Sequence, residues 1–270
     1  MKKVFLTGSK GYIGTNLSNF LEAKGLKVLH CDLPDCDIVN LNHLPEIPDV
    51  IIHLAGISGI DCKKDPVYSF TVNVIGGYNI LTLALTNKIP IIIISSQAAK
   101  YTNASYYAFT KRCVERYALE LFNFGLKGVI LRPSNVYGGS LFLEKKDTVI
   151  ARFIKRYKEG KPLIIYGDGS QHRNFLYVDD LCKAIWMCLM KFEERDYIQD
   201  VLDIVSLDTL SINDLADLFE NAKKVYDKSG YVGSRDVNFN AIKTLYKIEF
   251  KPRMYLEEWL KQNASANFGN

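Results

Sequence analysis

Short apolar runs alternate with amphipathic stretches through the first half of the chain. Val4–Leu6, Val28–His30, Val50–Leu54, Ile91–Ile94 and Gly128–Leu131 are rich in Val and Ile and bounded by Gly, Pro, Asn or Asp. That pattern predicts strands buried on both faces. Helices are predicted between them, near 12–24, 66–87 and 106–124. In the second, Val67, Phe70, Val74, Tyr78, Leu81 and Leu85 recur at three- and four-residue spacing and mark one apolar face. After about residue 135 the pattern is less regular. It predicts a helix near 147–159, a strand at Leu163–Tyr166, a helix at 178–191 and a strand at Val201–Val205. A helix capped by Ser211 follows at 212–221, and a last helix surrounds Trp259. The expectation is an α/β chain: a Rossmann-like doubly wound parallel sheet of about seven strands with a smaller α/β substrate-binding lobe. The first domain is expected over 1–135, with 175–205 returning to it. Residues 136–270 are expected to form mainly the second lobe.

Composition narrows the class. Of 270 residues, 48% are hydrophobic and 24% charged, and the net charge of +4 is spread in pairs of lysines. This excludes the dense basic stripe of a nucleic-acid binder. No apolar run approaches the roughly 20 residues that span a bilayer, and the amino terminus enters a strand with no signal-peptide pattern. The six cysteines form no CxxC pair and no zinc-like spacing with the four histidines. They are expected to be unpaired thiols of a cytoplasmic protein without a metal.

Thr7-Gly8-Ser9-Lys10-Gly11-Tyr12-Ile13-Gly14 follows the first predicted strand and opens the first helix. Glycines keep such a turn tight, and a helix N-terminus offers free N–H groups to a pyrophosphate. Asp32 ends the second strand, 18 residues after Gly14, where a carboxylate can bind both ribose hydroxyls and repel the extra phosphate of NADP. Lys10 is a counter-signal, because a cation in the glycine loop could meet that phosphate. The balance favours NAD over NADP.

Further landmarks follow in order: His53-Leu54-Ala55-Gly56, Asn73 within Thr71–Val74, Tyr107-Ala-Phe-Thr-Lys111, Arg132-Pro-Ser-Asn-Val-Tyr-Gly138, and Tyr166 through Asp180. With these the chain resembles the nucleotide-sugar epimerase/dehydratase branch of the extended short-chain dehydrogenases. The likeness extends to Gly233–Asp236 and Phe250–Pro252. The resemblance implies that Gly8, Lys10, Gly11, Tyr12, Ile13 and Gly14 form the dinucleotide turn, with Asp37 and Ile38 at the adenine. Leu54, Ala55, Gly56 and Asn73 would line the cofactor, and Tyr107 and Lys111 would be the catalytic pair. Asn135 and Arg173 would contact substrate, Arg173 at the diphosphate and Arg235 as a second phosphate contact. A homodimer through the helices near 66–87 and 106–124 is implied as well.

The residue types suit that chemistry. Tyr107 and Lys111 are four apart and share one helix face, whereas Tyr106 lies about 100° around the helix from Tyr107. A neighbouring ammonium and a positive nicotinamide would lower the phenol pKa from near 10. A hydroxyl partner is expected after the strand that ends near Ile94. Counting from the strand selects Ser96, which could relay a proton, while counting back from Tyr101 selects Gln97, which could only hydrogen-bond to substrate. No Asp-Glu pair follows, so a dehydratase is disfavoured. Asp179 and Asp180 are expected to serve a helix start. The leading expectation is C4 epimerisation of a nucleotide-diphosphate sugar through a transient 4-keto sugar. A ketoreductase or dehydrogenase with exchangeable cofactor is the alternative, and a non-catalytic NAD-binding scaffold is the third reading.

Overall fold

A computed structural model describes residues 1–101, 105–139, 142–145, 148–207, 209–229 and 239–263. In chain order the elements are β1 (Lys3–Thr7), α1 (Tyr12–Ala23), β2 (Lys27–Cys31), β3 (Val50–His53), α2 (Gly59–Lys64), α3 (Pro66–Phe70), a π-turn (Thr71–Gly76), α4 (Gly77–Thr86), β4 (Ile91–Ile94), a 3-10 turn (Gln97–Lys100), α5 (Tyr106–Asn123), β5 (Gly128–Pro133), β6 (Asn135–Tyr137), α6 (Phe142–Lys145), α7 (Val149–Lys158), β7 (Leu163–Tyr166), β8 (His172–Tyr177), α8 (Val178–Glu193), β9 (Ile198–Ile204), β10 (Thr209–Ser211), α9 (Ile212–Asp217), β11 (Lys224–Asp227), α10 (Ala241–Ile248) and α11 (Leu256–Asn263).

These form two compact units. The first comprises Met1–Pro133, Cys182–Ile204 and Asn240–Phe250. Its sheet has six parallel strands in the order β2-β1-β3-β4-β5-β9. Every residue of β3 and β4 is buried, the expected result for apolar strands covered on both faces. The second unit comprises Ser134–Leu181, Val205–Phe239 and Lys251–Asn270. It holds a three-stranded sheet, β10-β8-β6, and a two-stranded one, β11-β7.

Three expectations change. The main sheet has six strands, because nothing is added outside β2. The chain passes from Asp32 to Asp49 without a strand or helix, which leaves β2 at the edge of the sheet. The helix expected at 66–87 is divided by the π-turn at Thr71–Gly76. Such a turn re-aims side chains within a helix, and here it precedes a Gly-Gly pair where the chain must lie close to Ile38: a Cβ on Gly76 would stand 2.6 Å from Ile38 Cδ1. Finally, Cys31 and Cys36 are joined in a disulfide, while Cys62, Cys113, Cys182 and Cys188 are free. A CxxC search misses this pair because its separation is five.

Candidate active site

The glycine turn is determined by backbone contact. Gly8 has φ +72°, and a Cβ there would lie 2.7 Å from Ala55 N; at Gly14 it would lie 2.0 Å from Gly8 O. No side chain fits at either place. Gly11 precedes α1 with no side-chain cap hydrogen bond, so the N-terminus that carries Tyr12 and Ile13 is built to receive an anion. Asp32 lies beside this turn: its Oδ2 accepts from Lys10 N at 2.7 Å and its Oδ1 from Leu33 N at 2.9 Å. The Lys10 ammonium turns away to Asp35 Oδ2 at 2.7 Å and to Leu33 O at 3.3 Å. A 2′-phosphate would therefore meet a cation already matched by Asp35, as well as the Asp32 carboxylate.

Asp37 closes the next turn, accepting from Val39 N and Asn40 Nδ2. Asn79 Nδ2 donates to the carbonyls of Ile38 and Val39, which leaves Ile38 buried. Leu54, Ala55 and Gly56 follow β3, with Ala55 N donating to Thr7 Oγ1 at 3.2 Å. Beneath them His53 Nδ1 lies 2.8 Å from Thr7 Oγ1. Burial, and next the Lys111 charge, push the His53 pKa down to about 3, so this imidazole is neutral at neutral pH.

Asn73, only 3% exposed, braces the chain after Gly56. Its Oδ1 accepts from Ile57 N at 2.7 Å, and its Nδ2 donates to Ile57 O at 3.1 Å and Thr110 Oγ1 at 3.0 Å. Gly56, Asn73 and Lys111 converge: a Cβ on Gly56 would lie 3.0 Å from Asn73 Oδ1 and 3.4 Å from Lys111 Nζ.

Ser105 caps α5 by accepting from Ala108 N, and Tyr107 and Lys111 sit on the following turns, with the ammonium 6.0 Å from the Tyr107 ring centre. Lys111 Nζ donates to Ile94 O at 3.1 Å. One turn further on, the buried Glu115 accepts Arg132 Nε and Nη2 at 2.7 and 2.5 Å, clamping α5 to β5.

Ser96 Oγ accepts from Ala98 N at 3.2 Å, and the hydroxyl is near enough to the Tyr107 phenol to pull its pKa down. Gln97 is turned to β5, where its Nε2 donates to Arg132 O at 2.9 Å. Its buried Oε1 meets no protein donor. Burial raises the Tyr107 pKa to about 12, against a lowering effect of Ser96; the lowering expected from a positive nicotinamide belongs to the cofactor-bound state. Burial likewise lowers Lys111 to about 8, against the charge of Glu115. At both groups removal from water is the largest cause.

In the second unit Asn135 and Arg173 line one cavity of about 650 Å³. Asn135 Nδ2 donates to Asn174 O at 3.0 Å, and Arg173 Nη1 to His172 O at 2.6 Å. The sequence reading missed its other cations. Arg152, Lys155 and Arg156 on α7 line the same cavity, and the Arg152 guanidinium stands 5.4 Å from the centre of the Tyr166 ring. Their three- and four-residue spacing was the available signal. Asp179 and Asp180 fall in the first turn of α8, the helix start expected for them. Asp180 is also fully buried, and its Oδ2 accepts from the backbone of Arg253 and Met254. Arg235 lies outside the described residues. Among those residues there is no cluster of three metal-ligating side chains and no helix long and apolar enough to cross a membrane.

Comparison with known proteins gives this arrangement its context. A protein of Methanocaldococcus jannaschii named for UDP-glucose 4-epimerase activity is 27% identical over 96% of each chain. UDP-glucuronate 4-epimerase of Thermodesulfobacterium geofontis is 25% identical over 96% of this chain and 94% of its own. The structure of UDP-glucuronic acid 4-epimerase from Bacillus cereus, in complex with UDP-glucuronic acid and NAD, superposes with a TM-score of 0.86. It is 25% identical and covers 97% of this chain and 98% of that one. Residues 4–201 match the model of the NAD dependent epimerase/dehydratase family. The likeness expected from the ordered motifs is thus borne out, and the chain belongs to the NAD-dependent epimerase/dehydratase family.

Proposed function

We propose that the protein is an NAD-dependent C4 epimerase of a nucleotide-diphosphate sugar. The observation that carries this reading is the convergence of Tyr107, Ser96 and Lys111 behind the glycine turn in a chain of this family. The first unit would hold the dinucleotide through the uncapped start of α1, the Asp32 carboxylate, and the Asp37–Ile38 and Leu54–Gly56 segments. When bound, NAD supplies the hydride acceptor and donor at C4 of the sugar.

Burial holds the Tyr107 pKa up; as the phenolate, which Lys111 and a bound positive nicotinamide would favour, Tyr107 would take the proton of the C4 hydroxyl and later return it. Ser96 would orient that phenol or relay its proton. Lys111 remains mostly protonated at pH 7 and favours the phenolate whenever it forms. The cations of the second unit would hold the diphosphate, with Arg173 and Arg152 offering planar forks. Gln97, fixed to β5 through Arg132 O, is assigned to positioning.

Val67, Tyr68, Ile75, Tyr78 and Phe109 are exposed on α3, the π-turn, α4 and α5. These apolar residues support self-association as a homodimer. The four free cysteines fit a reducing compartment, where the single Cys31–Cys36 disulfide would be reversible, and on this reading the enzyme is cytoplasmic.

Protein purified without added cofactor, then denatured, is expected to release NAD detectable by absorbance and mass. Incubation of the native protein with UDP-glucose or UDP-glucuronic acid should produce the C4 epimer by proton NMR. Net consumption of added NADH or NADPH with a keto sugar would move the assignment to a reductase. Binding of no dinucleotide would sink it.

A further inference from the structure

Cys31 ends β2, immediately before Asp32, and Cys36 stands immediately before Asp37 and Ile38. Their disulfide brings the two Cα atoms to 4.9 Å. It encloses Asp32, Leu33, Pro34 and Asp35 in a small ring whose exit is the Asp37–Ile38 pair. Residues at both ends of the proposed adenosine site therefore take their spacing from one covalent tie.

Cys31 and Ile38 pack in the core and Asn79 ties Ile38 and Val39, but the exposed residues Leu33, Pro34 and Asp35 between them have fewer ties. β2 is the edge of its sheet, and no described strand or helix lies between residues 32 and 49. Leu33 is 52% exposed. Within the ring, Cys36 N donates to Asp32 O at 2.9 Å. The Lys10–Asp35 contact joins two exposed side chains, an arrangement that contributes little in water. A surface loop with few buried contacts opens more readily than the core beside it, and a cross-link removes many of its open conformers.

We propose that Cys31 and Cys36 form a thiol–disulfide switch on dinucleotide affinity. The oxidised pair holds Asp32, Asp37 and Ile38 ready for the adenosine end, and the reduced pair releases the segment and weakens binding. This rests on the NAD reading above. The two sulfurs differ in access: Cys31 is fully buried and Cys36 only partly.

A small-molecule thiolate therefore attacks the Cys36 sulfur. The protein S–S bond breaks, Cys31 leaves as a thiolate and takes up a proton, and Cys36 carries the mixed disulfide. A second small thiol releases Cys36 as a thiol and departs in a small-molecule disulfide. Two external thiols are oxidised as the protein disulfide is reduced to two thiols. A small-molecule disulfide of the oxidised-glutathione class drives the reverse.

The test uses the full chain. Dissociation constants for NAD are measured by calorimetry after equilibration with oxidised glutathione or with a phosphine reductant, and the thiol state is read by alkylation and mass. Reduction is expected to weaken NAD binding about tenfold, the scale on which loss of preorganisation acts. Cys36→Ser should match the reduced protein and ignore reductant; if that variant does not fold, the two states of the unaltered chain decide. Equal affinity in both states overturns the switch and leaves the NAD reading intact. So does a mass that shows Cys31 and Cys36 unpaired under oxidant. Absence of NAD binding in either state overturns both.

Discussion

Around Tyr107 the polar side chains are buried and already hydrogen-bonded to one another or to backbone. The cavity beside α7 is instead lined mainly by cations, Arg152, Lys155, Arg156 and Arg173, with Glu159 among them. His53, Asn73, Thr110, Lys111 and Glu115 are each below 9% exposed, and their partners lie on β1, β4, β5 or neighbouring helices. In the second unit Arg152, Lys155, Arg156 and Arg173 project from one helix and one strand into about 650 Å³. The first arrangement fixes where a proton can sit, because every alternative position strands a polar group away from water. The second fixes charge more than position, and suits a ligand whose own charge completes it. The contrast teaches that chemistry and recognition place different demands on the same residue types. A buried lysine is tuned by its surroundings, whereas an arginine at a cavity wall is a permanent charge on a long stem.

Three experiments would break or sharpen that contrast. Tyr107→Phe removes one oxygen and preserves the ring. It should lower kcat by about a thousandfold, within the range of general acid–base catalysis, while NAD remains bound and the thermal midpoint stays near that of the parent. Retention of full turnover would remove Tyr107 from the chemistry. Next in size, Arg173→Ala should weaken a nucleoside diphosphate by about ten- to a hundredfold, the loss of a charge-assisted hydrogen bond, and leave NAD affinity unchanged. A drop in stability with no change in diphosphate affinity would recast Arg173 as structural.

The smallest effect concerns pH. His53 has a folded-state pKa of about 3, below the unfolded value near 6.5. The unfolded chain therefore binds the proton first as the solution is acidified, and stability falls from about pH 6.5 downward until the folded-state value is reached. The slope is at most about 1.4 kcal/mol per pH unit. Urea midpoints at pH 7, 6 and 5 should show this decline, and His53→Gln should flatten it. An equally steep decline in the variant would assign the acid sensitivity to other groups.

Much of the first unit was legible along the chain. The apolar runs located five of its six parallel strands near their observed places, and Val201–Val205 located the sixth. The glycine turn and the four-residue spacing of Tyr107 and Lys111 were legible too, because each reflects a local rule: a strand buried on both faces must be apolar, and residues four apart share a helix face. Less could be read where the partner comes from elsewhere in the sequence. Ser96 and Gln97 are adjacent, and counting along the chain selects either; only the packing of the 3-10 turn against β5 sends Gln97 to Arg132. The raised Tyr107 pKa was hidden for the same reason, since desolvation depends on what surrounds a side chain.

The sequence by itself determined the order of elements, the family, the glycine turn and the acidic residue that follows it. Tertiary structure alone decided that β2 would be a sheet edge, that Cys31 and Cys36 would meet, and that Asp180 would also hold the distant backbone of Arg253 and Met254. The basic wall of α7 also became visible only there. Periodicity is a property of neighbours along the chain and survives in one dimension. Burial, charge neighbourhood and cross-linking arise when residues far apart in the chain are brought together, and folding sets them.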